Sequence, residues 1–182
     1  MSASPGSFQD LVEPIVEIGP GVGANFRYLA PGSHVIAVEP NPHLHEGLRA
    51  AADKHGLELD PRTVLGERLD VEDASAGSVI TTLVLCTVTN PEAALGEVHR
   101  VARPGGRSAV LEHVVDPDRT LTRRVQRVVA RPWTWVFERC SWERDLAPLI
   151  NQTVFSEVDK QHTQLRSPFV PANPQIAGTA IK

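Results

Sequence analysis

Residues 16–25 read Val-Glu-Ile-Gly-Pro-Gly-Val-Gly-Ala-Asn, and this glycine-rich stretch decides the fold. It overlaps an apolar run at 15–18, so the glycines stand where a buried strand ends. Glycines allow a tight turn and let the backbone approach a ligand that a Cβ atom would hold off. We predict that a helix follows this turn and that its free N–H groups suit an anionic group such as a carboxylate.

An acidic residue follows the next apolar run at the expected distance. Residues 34–38 are rich in β-branched side chains and end at Glu39, which lies twenty positions after Gly19. A carboxylate at this place can accept both hydroxyls of an adenosine ribose. The loop and the acid together predict a site for a nucleoside-type cofactor.

The glycine spacing alone leaves two cofactor classes open. Residues 19–24 also satisfy the dinucleotide fingerprint, which is typical of NAD-binding proteins. Three features favour the other class: Glu17 precedes the loop, the spacing is Gly-x-Gly-x-Gly, and Glu39 is followed by Pro-Asn at 40–41.

Short apolar runs alternate with segments of helical period along the chain. The predicted strands cover 15–18, 34–38, 62–65, 78–88, 108–115, 154–158 and 175–181. Strands that alternate with helices indicate a parallel α/β sheet. The last two strands are separated by a proline-rich stretch with no obvious helix, so we expect an antiparallel pair at one edge.

The predicted helices have readable ends. Asn-Pro pairs at 41–42 and 90–91 supply an N-cap followed by a proline in the first turn. Gly56 is placed to end the first of these helices. A third helix is predicted at 119–131, with five arginines around an apolar stripe, and its simplest interpretation is a solvated amphipathic helix.

Composition limits the class of protein. A chain of 182 residues with 41% apolar and 22% charged residues fits one soluble domain covering 1–182, with a short polar segment at 1–14. A net charge of −4 argues against nucleic-acid binding. We expect no membrane anchor and no signal peptide in this chain. Cys86 and Cys140 are too few for a disulfide framework and lack metal-ligand spacing, so we expect a cytoplasmic protein without a metal.

The segments at 17–25 and 39–43 resemble the class I S-adenosylmethionine-dependent methyltransferases, and more narrowly the methyltransferase-like thiol S-methyltransferase family. Further segments share this resemblance, at 82–88, 97–106, 112–114 and 178–182. The resemblance implies a Rossmann-like fold with a seven-stranded, mostly parallel sheet, an antiparallel C-terminal hairpin and helices on both faces. It also implies S-adenosyl-L-methionine as cofactor and S-adenosyl-L-homocysteine as product.

The resemblance further implies which residues bind the cofactor. The set is Glu17, Gly19, Pro20, Gly21, Asn25, Glu39, Pro40, Asn41, Gly66, Glu67, Thr82 and Leu83. The members at 17–25 would hold the methionine moiety and shape the loop. Glu39 would bind the ribose, residues 40–41 and 66–67 would lie along the adenine, and residues 82–83 would lie beneath the sulfonium.

The candidate catalytic residues lie near the end of the fifth strand. Reaction sites in open α/β sheets lie at the carboxyl ends of the strands, so His113, next to Glu112, is our hypothesis for a base or an orienting group. The alternative for His113 is a structural histidine bonded to backbone. Cys86 is interpreted as a small buried residue at the substrate pocket, because methyl transfer needs no covalent intermediate. Trp133 and Trp135 are predicted to line that pocket, with core packing as the alternative.

The sequence therefore predicts a methyltransferase that acts on a small-molecule acceptor, with a thiol favoured. The nearest alternative is a small-molecule O- or C-methyltransferase. More remote alternatives are an NAD-dependent oxidoreductase and a non-catalytic subunit with the methyltransferase fold.

Overall fold

A computed structural model of the protein describes the N-terminal half of the chain and the strands of the sheet. It covers Phe8, residues 10–113, positions 120, 123–126, 128 and 149, and segments 157–164 and 174–182. Only the backbone is described for 113, 157–164 and 174. Trp133, Trp135 and much of the helix predicted at 119–131 lie outside the described residues, although 123–126 are helical.

Seven strands form one mixed sheet in the order β3-β2-β1-β4-β5-β7-β6. Their bounds are β1 Ile15–Ile18, β2 His34–Val38, β3 Glu58–Arg62, β4 Ala76–Thr82, β5 Ala102–His113, β6 Glu157–Gln164 and β7 Pro174–Ile181. The first five pair in parallel, whereas β7 runs antiparallel to both β5 and β6. The predicted parallel α/β sheet with an antiparallel C-terminal pair is confirmed.

Two α-helices have described bounds, α1 (His45–His55) and α2 (Pro91–Val101), besides the short helical stretch at 123–126. The Asn41 side chain accepts the His43 N–H ahead of a 3₁₀ turn that leads into α1, and Gly56 ends α1 with φ of 67°. The Asn90 side chain accepts the Ala93 N–H at the start of α2. Both predicted Asn-Pro starts are therefore confirmed, although the first begins with a 3₁₀ turn.

The two helices cover opposite faces of the sheet. Ile15 of β1 packs in one apolar cluster with Leu48 of α1, whereas Val16 packs in another with Val98 of α2. Successive strand residues point to opposite faces, so these clusters lie on the two sides of the sheet. A strand buried on both faces explains why β1 is apolar at nearly every position.

The predicted bounds of four strands are wrong. The fifth begins at Ala102 rather than 108, and the sixth ends at Gln164 rather than 158. The third strand covers Glu58–Arg62 rather than 62–65, and it contains Pro61, which an edge strand tolerates because one side of it needs no ladder donor. The fourth strand ends at Thr82 rather than 88, because Leu83 takes a left-handed conformation with φ of 56°. Residues 83–90 therefore form a turn, which we call the β4–α2 turn.

The prediction of a helix directly after the glycine-rich stretch is also wrong. The structure has only a 3₁₀ turn at Phe26–Tyr28 before β2. Gly19, Gly21 and Gly23 all have positive φ, between 59° and 79°, so the chain turns at each of them instead of starting a helix.

The segment at 1–14 is not simply polar. Phe8 is buried, and its ring stacks on that of Tyr28 with centroids 5.2 Å apart. This contact joins the start of the chain to the apolar cluster around Ile15.

Two kinds of feature are absent from the part of the chain that the structure describes. None of its helices is long and apolar enough to cross a membrane. No group of three or more His, Cys, Asp or Glu side chains is placed to hold a metal ion.

Arg100 connects α2 to the segment between β3 and β4. Its guanidinium donates to the carbonyl oxygens of Leu69 and Val71, at 3.1 and 2.9 Å, and also pairs with Glu97 and Asp73. Glu97 in turn accepts the Leu69 N–H at 2.7 Å. These bonds hold an irregular segment that has few regular backbone bonds of its own.

We expect Arg100→Ala to lower the free energy of unfolding by about 2 kcal/mol, because several charge-assisted hydrogen bonds are lost together. Urea unfolding measures this change. Arg49→Ala is the control, since Arg49 is exposed on α1. Equal stability of the two variants would contradict a clamping role for Arg100.

Candidate functional site

A pocket of about 210 Å³ opens at the carboxyl ends of β1, β2 and β4. It is lined by Ile18, Gly19, Val38, Pro40, Leu65, Gly66, Glu67, Val84, Thr87, Val88 and Thr89. This is the edge of an open α/β sheet where ligands bind. Of the predicted cofactor residues, Gly19, Pro40, Gly66 and Glu67 lie in its wall.

Two glycines allow the pocket walls to come close together. A Cβ atom on Gly19 would lie 2.5 Å from Val84 Cγ2, and one on Gly66 would lie 2.9 Å from Ile18 Cγ2. Both distances are too short for real side chains. Gly21 differs, because no atom lies within 4 Å of its ideal Cβ, and its φ of 59° is what favours glycine there.

Glu39 connects the glycine-rich loop to the end of β2. Its Oε2 accepts the Gly21 N–H at 3.1 Å and its Oε1 accepts the Asn41 N–H at 3.0 Å. The carboxylate thus orders both segments predicted to surround the cofactor. Each of its oxygens has further lone-pair capacity, so these bonds are compatible with accepting ribose hydroxyls.

Glu17 is buried behind the loop with an incomplete set of partners. Its Oε1 accepts from Asn25 Nδ2 at 2.7 Å, and among the described residues its buried Oε2 has no hydrogen-bond partner. Burial raises the pKa of Glu17 to about 7, against the opposing effect of the Asn25 hydrogen bond. A buried carboxyl with an open acceptor suits a cationic group of a ligand, such as an ammonium.

Glu112 is fully buried on β5, and one of its oxygens binds two successive backbone amides. Its Oε1 accepts the N–H groups of Val84 and Leu85 at 3.1 and 3.0 Å. These bonds give Glu112 a holding role in this conformation, and its catalytic role stays a prediction. His113 ends β5 opposite Gln175 of β7, and its catalytic role stays a prediction.

The other predicted residues do not line the described pocket. Pro20, Gly21, Asn25, Glu39 and Asn41 lie around it in the loop and at the end of β2. Thr82 and Leu83 lie at the end of β4, next to the residues that do form the wall. Cys86 is fully buried, and its thiol faces the Leu83 carbonyl oxygen at 3.5 Å. This burial agrees with a small apolar role for Cys86 and gives it no surface in the described pocket.

Sequence reasoning missed the residues of the β4–α2 turn. Val84, Thr87 and Val88 line the pocket, but they were included in a strand that was predicted to run to 88. Leu65 was missed as well, although it precedes Gly66 and is 61% exposed. This exposure is visible only in the structure, so no local sequence pattern marked Leu65 as a pocket residue.

The sheet order, the glycine-rich loop and the acid after β2 define a Rossmann-like nucleoside-binding domain. The family defined as the methyltransferase domain matches residues 16–110. Human thiol S-methyltransferase TMT1A is 35% identical over 171 residues, which is 92% of this chain and 70% of that protein. Rat thiol S-methyltransferase TMT1B is 34% identical, and the match again covers 92% of this chain and 70% of that protein.

Solved structures agree on the fold. An S-adenosylmethionine-dependent methyltransferase from Methanosarcina mazei superposes with a TM-score of 0.71 at 20% identity, over 92% of this chain and 91% of that one. The chain therefore belongs to the class I S-adenosylmethionine-dependent methyltransferases. This membership decides the cofactor class that the glycine spacing left open, and it removes the NAD-dependent alternative.

Proposed function

We propose that this protein transfers the methyl group of S-adenosylmethionine to the sulfur of a small-molecule thiol. The observation that carries the proposal is the 35% identity to human thiol S-methyltransferase TMT1A over 92% of the chain. The family match at 16–110 includes every residue that lines the described pocket.

The residues of the site fit the cofactor. The open Oε2 of Glu17 offers a buried negative partner to the ammonium of the methionine moiety. Gly19 and Gly66 leave room that a Cβ atom would fill. Glu39 is the proposed ribose acceptor, and Pro40 and 66–67 are the proposed base-lining residues. When bound, the cofactor supplies a methyl group activated by a positively charged sulfur.

The chain supplies an apolar wall and orients the reactants. Ile18, Val38, Val84 and Val88 form the apolar side of the pocket. Transfer to a thiolate cancels two opposite charges, so an apolar site does not oppose the step, and orientation contributes much of the rate. A free thiol has a pKa near about 8.5, so a base or a positive field near the acceptor promotes the reaction. His113 is our candidate for this role.

An acceptor panel tests the proposal. We expect the purified protein, given S-adenosylmethionine, to methylate alkyl or aryl thiols, with S-adenosylhomocysteine and the methyl thioether detected by mass spectrometry. The rate with a weakly acidic thiol is expected to rise toward pH 8.5 as more thiolate forms. Methylation of phenols or carbon acids without thiols would establish an O- or C-methyltransferase. Cofactor binding without transfer to any acceptor would favour a non-catalytic subunit.

The proposal includes a cytoplasmic location and a small-molecule partner. A reducing compartment suits the buried thiol of Cys86. Fractionation of cells that express the chain tests the location, and recovery in the membrane fraction would contradict it.

A further inference from the structure

The β4–α2 turn, residues 83–90, forms one wall of the pocket. Val84, Thr87, Val88 and Thr89 all line it. The N–H groups of Thr87 and Val88 donate to the Val84 carbonyl oxygen at 2.9 and 3.1 Å, and Thr87 Oγ1 donates to it at 2.7 Å. The turn is thus closed on itself in the middle, and its position depends on how its two ends are held.

The first end is held by Glu112. One carboxylate oxygen accepts from Val84 and Leu85, and the neighbouring Leu83 N–H donates to the Leu111 carbonyl oxygen at 2.7 Å. Leu83 itself has a φ of 56°, a conformation that costs an L residue about 1–2 kcal/mol. The bonds from β5 offset that cost, because they require the chain to leave β4 in this direction.

The second end is held by Glu67, which comes from the opposite wall. Its Oε1 accepts the N–H groups of Thr89 and Asn90 at 2.7 and 3.2 Å. Asn90 is also the N-cap of α2. Glu67 therefore fixes both the end of the turn and the start of the helix that follows.

Both carboxylates use the same arrangement. In each, one oxygen accepts two successive amides, and hydrogen bonds to a charged acceptor are stronger than neutral ones. The turn that they hold places Val84 against the position where Gly19 has no side chain. A small shift of the turn would change the separation between this wall and the glycine-rich loop.

We propose that Glu112 and Glu67 are positioning residues that hold the two ends of the β4–α2 turn and so set the pocket wall for the cofactor. The inference rests on the proposed function, since the ligand is taken to be S-adenosylmethionine. Neither side chain needs to donate or accept a proton in the reaction.

The test uses variants at both ends of the turn, with S-adenosylhomocysteine as the probe. Glu67→Ala is expected to weaken binding about tenfold in calorimetry, because two amides lose their acceptor and the wall shifts. Glu67→Gln is expected to stay within about threefold of the unmodified protein, since its carbonyl oxygen can accept the same two bonds. Two variants of Glu112 form the matching pair at the first end of the turn. Glu112→Leu removes the acceptor, and Glu112→Gln keeps a carbonyl oxygen that can accept the same two bonds. Glu92→Ala is the control, because Glu92 is exposed in the first turn of α2.

Hydrogen exchange gives a readout that does not need the cofactor. Glu67→Ala is expected to speed exchange of the Thr89 and Asn90 amides at least about tenfold relative to Glu92→Ala. Glu67 is only half-buried, so this variant is expected to fold even if Glu112→Leu does not.

Two results would overturn the inference. One is unchanged amide exchange in Glu67→Ala, and the other is unchanged S-adenosylhomocysteine affinity in both Glu67→Ala and Glu112→Leu. Failure of the unmodified protein to bind the probe would instead count against the proposed function, and the exchange experiment would still decide whether the carboxylates hold the turn.

Discussion

Replacing Gly19 by alanine is expected to weaken S-adenosylhomocysteine binding at least about 100-fold, because backbone strain and a steric clash act at the same residue. Gly19 has a φ of 65°, and a new Cβ would lie 2.5 Å from Val84 Cγ2 and 3.0 Å from Val84 Cβ. Val84 cannot easily move away, because its N–H is bound to the buried Glu112. The loop must shift instead, and it forms the floor of the pocket. Calorimetry measures the affinity.

Gly32→Ala separates the two causes. Gly32 has a φ of 88°, but no atom lies within 4 Å of its ideal Cβ. We expect this control to lose about 1–2 kcal/mol of stability from backbone strain and to keep its affinity. The double variant Gly19→Ala/Val84→Ala removes the Cγ clash and is expected to recover part of the binding. Equal affinities of Gly19→Ala and Gly32→Ala would show that the close approach to Val84 does not matter.

Local signals made the centre of the fold predictable. The glycine-rich loop, the acid at 39 and the Asn-Pro pairs each act over a few residues. The structure confirms the strands that end at the loop and at the acid, and the helices that follow the Asn-Pro pairs. The pairing of the last strands was predictable for a similar reason, because a connection without a helix favours antiparallel neighbours. These strands and helices depend on the backbone preferences of a few neighbouring residues, which can be recognised in the sequence.

The pocket wall was not predictable, because distant residues determine it. Leu83 leaves β4 in a left-handed conformation that its own side chain does not favour. The acceptors that stabilise this departure are Glu112 on β5 and Glu67 between β3 and β4. A run of apolar residues at 78–88 looks like one long strand until those bonds are known. The bonds that Glu112 makes were not predictable either, because they join β5 to a turn that no local sequence pattern marks.

The missing helix after the loop has a different cause. Three glycines with positive φ lie within five residues, and each adds a turn that helical backbone cannot contain. The Asn25 side chain donates to Glu17 and makes no capping bond to the 3₁₀ turn that follows.

Because of Glu17, the stability of the protein is expected to fall as pH rises, whereas its affinity for the cofactor is expected to increase. Burial raises the pKa of Glu17 from its ordinary value of 4.5 to about 7 in the folded chain. The folded chain thus binds this proton more tightly than the unfolded chain, so the contribution of Glu17 to stability is full below pH 4.5 and is lost as pH rises to about 7. The loss amounts to about 3 kcal/mol. Cofactor binding has the opposite sign, because an ammonium group prefers the ionised carboxylate.

Glu17→Gln tests both halves of this prediction. The amide does not ionise, so the variant's unfolding free energy relative to the unmodified protein is expected to rise by about 2–3 kcal/mol between pH 5 and pH 8 in urea titrations. The affinity of the unmodified protein for S-adenosylhomocysteine is expected to increase about tenfold from pH 6 to pH 8, following ionisation of a group with a pKa near 7. The variant is expected to bind more weakly and with no such increase.

Glu13→Gln, at an exposed position ahead of β1, serves as the control and should keep both dependences on pH. An affinity of the unmodified protein that stays constant between pH 6 and pH 8 would mean that Glu17 does not meet the cofactor's ammonium group. The ionised carboxyl of Glu17 has one oxygen without a partner among the described residues and lowers stability near neutral pH. A cationic ligand offsets that cost, so the site favours the occupied state of the enzyme at this pH.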